Sequence, residues 1–409
     1  MSGTVAIVGA SVAGVRTAQA LRGEGHDGPI VLIGAEATLP YDKPPLSKQF
    51  LAGTWDTDRM TLLTEAAARA ADIEMRLGAS AQHLDIAGKQ VLLADGQRVD
   101  YDQVVIATGA AARPSPWPAA SGVHVLRTLD DSRALRVDLD RPGPVAIVGG
   151  GFIGAEVAAT ARALGHPVTV IDPLPAPISR LLGPEVGALI GQIHRRHDVD
   201  TRFGAGVEAI SGHAGQLLLT LTDGRQVEAA TVLVGIGAVP NTDWLAESGL
   251  LIGNGVVCDQ YCRAVGRDEI WAVGDVARWQ HLEIGEAVRV EHWTNAVEQA
   301  SRVALNLTHP DELRSYLPTD YVWSDQYDWK IQIVGRPYSA ATHQIIGTPN
   351  DNPPRFAAVY SDKDSKLAGA VTVNWSKALM TCRRLLAHGA SGAEAIALVQ
   401  TLVTPAVTR

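Results

Sequence analysis

One pattern occurs twice in this chain and narrows what it can fold into. Val5-Ala6-Ile7-Val8-Gly9 opens the sequence, and Val145-Ala146-Ile147-Val148-Gly149 repeats it. Each copy is a short β-branched run that ends in glycine and leads into an Ala-rich stretch of helical character. A second apolar run follows each, Ile30–Ile33 in the first copy and Val168–Ile171 in the second. Strand, glycine turn, helix and parallel strand make the βαβ unit of a dinucleotide-binding fold. Two copies predict an α/β protein with two Rossmann-like dinucleotide-binding domains. At 409 residues the chain exceeds what one core usually organises, so a third domain has room.

The rest of the sequence arranges itself around the repeat. Gln103–Ala107 has strand character, and the Pro-rich Arg113–Pro118 marks a crossing linker. Val-Val-Ile-Ala-Thr-Gly, ending at Gly109, is mirrored by the strand-like Thr231–Gly235, and Ile270–Asp275 is a further expected strand that ends at an acid. From about Pro318 the texture changes. Phe356–Tyr360 and Leu367–Asn374 flank the polar turn Ser361–Ser365, and a helix is expected near Lys377–Ala387. This predicts a C-terminal α+β domain. The expected division is residues 1–113 with 244–317, an inserted 114–243, and 318–409.

The glycines carry the first chemistry. In Gly9-Ala10-Ser11-Val12-Ala13-Gly14, Gly9 allows the tight turn and Gly14 close helix–strand packing, while Ser11 stands where a backbone usually meets pyrophosphate. Glu36, at the end of the second strand, is placed to accept from ribose hydroxyls. The second loop, Gly149-Gly150-Gly151-Phe152-Ile153-Gly154, fills every position, and Asp172 ends its second strand. An acid there favours NADH, because it pairs with the 2′-hydroxyl and repels a 2′-phosphate. Arg180 lies beyond it and faces phosphate or solvent. Two dinucleotide folds ask for two dinucleotides, and a flavin with a nicotinamide allows hydride to pass between their rings.

Composition excludes several classes. The formal charge is −9, from 35 basic and 44 acidic residues, which argues against nucleic acid as a partner. Cys258, Cys262 and Cys382 are the only cysteines, so no disulfide framework is expected and a reducing setting is. The amino terminus runs directly into a strand with no basic segment before it, and apolar runs stay well short of the ~20 residues of a membrane span. These features predict a cytoplasmic protein with no membrane partner. The twelve histidines show no metal-binding spacing, and His194-Arg195-Arg196-His197 is expected to be a solvated helix face. No metal site is expected.

With these residues in place, the chain resembles the NADH-linked, FAD-containing ferredoxin reductases of oxygenase systems, within the two-dinucleotide-binding-domain flavoproteins. The resemblance rests on Pro40-Tyr41-Asp42-Lys43-Pro44-Pro45-Leu46-Ser47-Lys48, Leu126-Arg127-Thr128-Leu129-Asp130-Asp131, Gly149–Glu156, Gly274-Asp275-Val276-Ala277, Val290–Ala296 and Trp323-Ser324-Asp325-Gln326-Tyr327. It extends from end to end. It implies FAD and NADH as cofactors. For FAD it implies Gly9, Ser11, Ala13 and Gly14 at the pyrophosphate loop, Glu36 at the ribose, Lys43, and Ala81 backbone at the adenine. It further implies Ala107, Thr108 and Gly109 in the same site, Arg127 at the pyrophosphate, and Gly274 with Asp275 at the ribityl chain. The Trp293 backbone would meet the flavin pyrimidine edge. For NADH it implies Gly149, Gly151, Phe152, Ile153, Gly154, Glu156, Asp172, Arg180, Ile236 and Gly237. Lys48 near flavin N5, paired with Glu156, and Trp293 are the expected catalytic residues.

The resemblance also bears on the electron acceptor. Disulfide reductases of this fold carry a reactive cysteine pair beside the flavin, whereas residues 38 to 50 here contain no cysteine. Cys258 and Cys262 match no redox site of the family. A one-electron acceptor, a [2Fe–2S] ferredoxin feeding a haem monooxygenase or Rieske-type dioxygenase, is therefore expected, with the chain a monomer or weak homodimer. Trp293 and Trp323 are candidate docking residues, and Arg289, Arg302, Lys330 and Arg336 a candidate basic patch for an acidic partner. Gln332 stands where some relatives carry a basic residue. Alternatives are an NADH oxidase or rubredoxin reductase, and a redox-gated interaction protein resembling apoptosis-inducing factors.

Overall fold

A computed structural model of the chain describes residues 3–403. By packing, the chain divides into two compact units. One takes in the chain up to Lys43, Asp56–Ala111 and Ala238–Pro318; the other takes in Pro44–Trp55, Ala112–Gly237 and the chain from Thr319 on.

The first unit is built on a five-stranded parallel sheet in the order Ile270–Ala272, Gln103–Ile106, Val5–Val8, Ile30–Gly34, Ile73–Leu77. Val5 pairs with both Ile30 and Gln103, and Val8 with both Ile33 and Ile106, so the opening strand is central. All four of its residues are buried, which is why it is uniformly apolar rather than alternating. Helices Val12–Gly23 and Trp293–Thr308 pack on each other beside this sheet, and Ala13, Ala296, Ala300, Val303 and Ala304 join its core. The expected strand over Ile270–Asp275 stops at Ala272. Gly274–Val276 forms a single 3-10 turn instead, with Gly274 at φ +78°, a conformation that ends strand pairing.

The second unit repeats the sheet: Asp200–Phe203, Val168–Asp172, Val145–Val148, Thr231–Val234 and Val123–His124, again parallel, with Val145 between Val168 and Thr231. It also holds a five-stranded antiparallel sheet in the order Tyr321–Gln326, Trp329–Gly335, Leu367–Val373, Arg355–Ser361, Thr342–Thr348. Side chains alternate across it. Val334, Ala370, Ala357 and Val359 share a core with helices Ser376–Ala387 and Gly392–Thr401. Ile331, Ile333, Phe356, Val371 and Val373 face Leu182, Val186, Ile190 and Ile193 of the Ser179–Arg196 helix, which is broken at Gly183.

The Pro44–Trp55 segment packs with the second unit. One expectation is corrected by the structure. The His194–His197 run is not a solvated face: His194 is fully buried, its Nδ1 3.0 Å from the Tyr327 hydroxyl, and the His197 ring stacks on Tyr327 at 4.1 Å. Arg195 and Arg196 are the exposed members of the run.

Candidate active site

The geometry of each unit can be built from its glycine loop. In the first unit Gly9 has φ +121°, and a β-carbon there would collide with the Ala107 carbonyl; one on Gly14 would collide with the Gly9 carbonyl. Only glycine lets the turn close against Ala107–Thr108 and lets the helix start against the strand. Ser11 caps the Val12–Gly23 helix without spending its side chain on a cap hydrogen bond, so the first-turn N–H groups are left for an anion. Gly274 lies against Ala13, its would-be β-carbon 3.0 Å from Ala13 Cβ. Glu36 is half-buried, accepts from Tyr41 Oη at 2.7 Å and has Lys43 Nζ at 3.6 Å.

Thus Gly9, Ala13, Gly14, Ala107, Thr108 and Gly274 come together in one place, and Lys43 comes to Glu36. Thr108 is tied further by its hydroxyl to the Asn241 carbonyl at 2.8 Å, and the Gly109 carbonyl accepts the Asn241 amide at 3.0 Å. Asp275 sits in the Gly274–Val276 turn, its carbonyl accepting from Arg289 at 3.0 Å. Trp293 opens the Trp293–Thr308 helix, and its indole donates to Asp42 at 2.8 Å. Ala81 begins the strand Ala81–Asp85, reached through the Ala79 amide on the Gly34 carbonyl at 2.9 Å. An uncapped helix terminus that donates to phosphate, a turn closed by glycine and a strand-end acid that accepts from ribose are what a dinucleotide requires, so the residues present fit FAD.

The second unit repeats the loop with a cleaner cradle. Gly149 has φ +112° and lies against the Gly235 carbonyl, while Gly154 lies against the Gly149 carbonyl. A β-carbon on Gly151 would meet nothing within 4 Å, so the backbone there faces open space, as close approach of a pyrophosphate requires. Asp172 accepts from the Gly150 amide at 2.7 Å and the Leu174 amide at 2.8 Å, which fixes it beside the loop with lone pairs left for a hydroxyl. Phe152 is partly buried, and Ile153 is 43% exposed. Ile236 and Gly237 follow the strand Thr231–Val234, and the Gly237 carbonyl accepts the Arg113 amide at 2.9 Å. Arg180 is exposed and has no ion pair among the described residues. The residues fit a nicotinamide dinucleotide. Arg127, at the foot of the Leu129–Leu139 helix, gives its backbone N–H to Asp131 at 3.0 Å.

The same unit contains a buried ion pair. Lys48 Nζ lies 2.9 Å from Glu156 Oε2, with side chains 15% and 5% exposed. Pro44 and Pro45 fix the backbone of a 3-10 turn, Pro44–Ser47, that delivers Lys48. Three side chains of the same unit hold this segment by its carbonyls: Ser132 on Leu46 at 2.8 Å, Thr160 on Ser47 at 2.8 Å and Arg136 on Leu51 at 2.7 Å. Glu156 also accepts from Ser47 Oγ at 2.5 Å and Ser324 Oγ at 2.8 Å. A buried carboxylate needs such donors to remain charged. Ser47 lies in the Pro40–Lys48 motif and Ser324 in Trp323–Tyr327; the sequence marks neither as part of the site, apart from the adjacency of Ser47 to Lys48.

The expected basic patch is not present as drawn. Arg289 is 10% exposed and committed to Glu291 at 2.7 Å, and Arg336 is 13% exposed and committed to Asp320 at 2.6 Å. Arg302 is half-buried, and Lys330 is exposed. Gln332 is buried and donates to the Tyr321 hydroxyl at 2.8 Å. Trp323 is partly exposed and stacks on Tyr321 at 6.0 Å. Cys258, Cys262 and Cys382 are free thiols, all buried. Among the described residues no group of three or more His, Cys, Asp or Glu could hold a metal ion, and no helix is long and apolar enough to cross a membrane.

Comparison with known proteins assigns this combination of folds and loops. The family described as pyridine nucleotide-disulphide oxidoreductase matches residues 3–300, and the reductase C-terminal domain matches residues 321–401. The chain belongs to the pyridine nucleotide-disulphide oxidoreductases, in the branch of ferredoxin–NAD(+) reductase components of oxygenase systems. One relative, the anthranilate 1,2-dioxygenase system ferredoxin–NAD(+) reductase component of Burkholderia cepacia, is 39% identical over 94% of this chain and 94% of its own length. A solved ferredoxin reductase for the CYP199A2 system from Rhodopseudomonas palustris superposes with a TM-score of 0.91 at 32% identity, covering 98% of this chain and 100% of that one. The reductase in a covalent putidaredoxin reductase–putidaredoxin complex does so with a TM-score of 0.90 at 30% identity, covering 97% and 98%.

Proposed function

We propose that the chain is an NADH-dependent, FAD-containing reductase that delivers single electrons to a [2Fe–2S] ferredoxin, which in turn feeds a haem monooxygenase or Rieske-type dioxygenase. The observation that carries this reading is the buried Lys48–Glu156 pair in a segment that holds no cysteine. Acceptance of hydride from a nicotinamide and release of single electrons are the chemistry that bound FAD supplies.

The chain's own residues do the rest. The Gly9–Gly14 loop and Glu36 bind the FAD pyrophosphate and ribose, with Lys43, Ala81, Ala107–Gly109, Arg127, Gly274–Asp275 and the Trp293 backbone completing that site. The Gly149–Gly154 loop binds the NADH pyrophosphate, and Ile236, Gly237 and Arg180 border it. Asp172 selects NADH by accepting from a 2′-hydroxyl and repelling a 2′-phosphate. Lys48 is the cation assigned to the electron-rich reduced ring, and Glu156 holds it in place and moderates its charge. A unit charge at ~4 Å is worth up to a few kcal/mol where water is partly excluded. Trp323 is assigned to the docking surface, with Lys330 an exposed cation on the strand paired with its own.

Residues 1–113 with 244–317 are proposed as the FAD domain, 114–243 as the NADH domain and 318–409 as the C-terminal reductase domain. Three free thiols support a cytoplasmic location.

Stopped-flow mixing with NADH tests the whole reading. The yellow protein is expected to bleach rapidly, then reoxidise rapidly under anaerobic conditions with a [2Fe–2S] ferredoxin but not with buffer. Failure to bleach would remove the NADH assignment. Persistent bleaching with ferredoxin would leave the interaction-protein alternative, and fast reoxidation by oxygen would favour an oxidase.

A further inference from the structure

We infer that Ser324, on the C-terminal sheet, is a positioning residue for the Lys48–Glu156 pair and, through it, for hydride transfer from NADH; the inference rests on the role proposed above for that pair. The Glu156 carboxylate is held by Ser47, Lys48 and Ser324. Ser47 Oγ at 2.5 Å and Lys48 Nζ at 2.9 Å both approach Oε2. Two donors on one oxygen leave the group able to turn about its last bond, a torsion with a broad profile. Ser324 Oγ, at 2.8 Å, is the only donor to Oε1 among the described residues. It therefore fixes the plane of the carboxylate, and with it the direction in which Oε2 offers itself to Lys48.

The hydroxyl is itself prepared for this task. Ser324 is completely buried, in the strand Tyr321–Gln326 and paired with Ile331, so water does not compete for its proton. Its oxygen accepts from Gln326 Nε2 at 3.1 Å. A serine has one proton to give, and with the amide acting as donor that proton is left for Glu156. The reversed amide would set an acceptor against the same hydroxyl and draw its proton away from a buried anion. The line Gln326–Ser324–Glu156–Lys48 thus runs from the C-terminal sheet, through the helix Phe152–Ala163 of the second repeat, to the ammonium. Without Ser324, Oε1 is a buried charged acceptor with no donor, a situation costly enough to drive rearrangement.

The test is stopped-flow bleaching of the FAD-loaded protein by NADH, comparing the parent, Ser324→Ala, Glu156→Gln and the double variant. Ser324→Ala is expected to lower the limiting rate about tenfold, in line with loss of a hydrogen bond to a charged group, and to leave the half-saturating NADH concentration unchanged. In the Glu156→Gln background the same change is expected to have less than about a twofold effect, because its target is already gone. A parental limiting rate for Ser324→Ala alongside a slowed Glu156→Gln overturns the positioning role and leaves the role of the pair standing. An undiminished Ser324 effect in the double variant also overturns it, since the serine then acts elsewhere. A parental rate for Glu156→Gln removes the pair's role and the inference together. If the alanine variant fails to fold, Ser324→Cys, a near-isosteric and weak donor, carries the same expectation in direction.

Discussion

Asp172 and Gly150 are joined by a hydrogen bond of 2.7 Å, from the loop amide to a carboxylate oxygen at the end of the adjacent strand. The acid that would read the ribose is thereby part of the loop that would hold the phosphates. Asp172→Asn removes the charge and offers an amide hydrogen where an oxygen now accepts. The expected result is a kcat/KM for NADH lower by about tenfold and a ratio of NADPH to NADH use raised by at least as much. Steady-state assays with both nucleotides check this, and an unchanged ratio would show that Asp172 does not select.

Gln299 is fully buried, accepts the Gly274 amide at 2.7 Å and donates to Cys262 Sγ at 3.2 Å. It holds the turn that carries Asp275. Gln299→Leu leaves the Gly274 amide without its acceptor, at about 1–3 kcal/mol. Flavin is expected to dissociate about tenfold more readily, read as fluorescence of released FAD on dilution. Retention equal to the parent's would mean that the turn keeps its shape unaided.

The thiols are expected to be silent in the folded protein. Burial pushes Cys258 and Cys262 far above the ordinary thiol range and Cys382 up to about 12. At pH 8 an aromatic disulfide reagent should label fewer than about 0.1 thiol per folded chain, and all three once the chain is denatured. Prompt labelling of any of them in the folded state would reopen a dithiol role.

His194 sets a pH dependence of stability. Burial, then the charges of His197 and Arg195, lower its pKa to about 4. Its Nδ1 is hydrogen-bonded with the Tyr327 hydroxyl, and Asp328 pairs with His197 at 3.1 Å. Between pH 6.5 and 4 the unfolded chain takes up a proton that the folded chain refuses, so stability falls as pH falls through that window. The loss from this group is on the order of 3 kcal/mol at the acid end. His194→Gln, which cannot titrate, should flatten the fall in Tm between pH 6.5 and 4 and leave Tm at pH 7.5 within a few degrees of the parent's. Parallel curves would show that other groups govern acid unfolding.

What was legible in the sequence was local. Gly9, Gly14, Gly149 and Gly154 could be placed because each answers to a constraint within a strand, a turn and a helix, and the structure shows those constraints as collisions with neighbouring carbonyls. Lys48 and Glu156 were named as a pair through resemblance. Their supporting hydroxyls, Ser47, Ser324 and Thr160, were not, because a lone serine or threonine acquires meaning only from what the fold sets beside it. The polar neighbours of His194 suggest a solvated face, but Val186, Ile190, Ile193 and His194 share one buried helical stripe, and the stripe decides. Arg289 and Arg336 looked available because charge counts carry no information about partners. Their carboxylates, Glu291 and Asp320, take them out of any basic surface.

The docking of the Ser179–Arg196 helix on the C-terminal sheet has a consequence for synthesis. Leu182, Val186, Ile190 and Ile193 emerge from the ribosome more than a hundred residues before Trp329, Ile331, Phe356 and Val371 exist to cover them. At ~5–20 residues per second that interval is roughly 5–30 s. The parallel sheet around Val145–Val148 is complete once Thr231–Val234 has been made, while this apolar stripe is still bare. A nascent chain stalled or truncated in that interval carries a finished nucleotide fold with an adhesive flank, which makes the window between residues 234 and 373 the one in which chaperone capture or aggregation competes with folding.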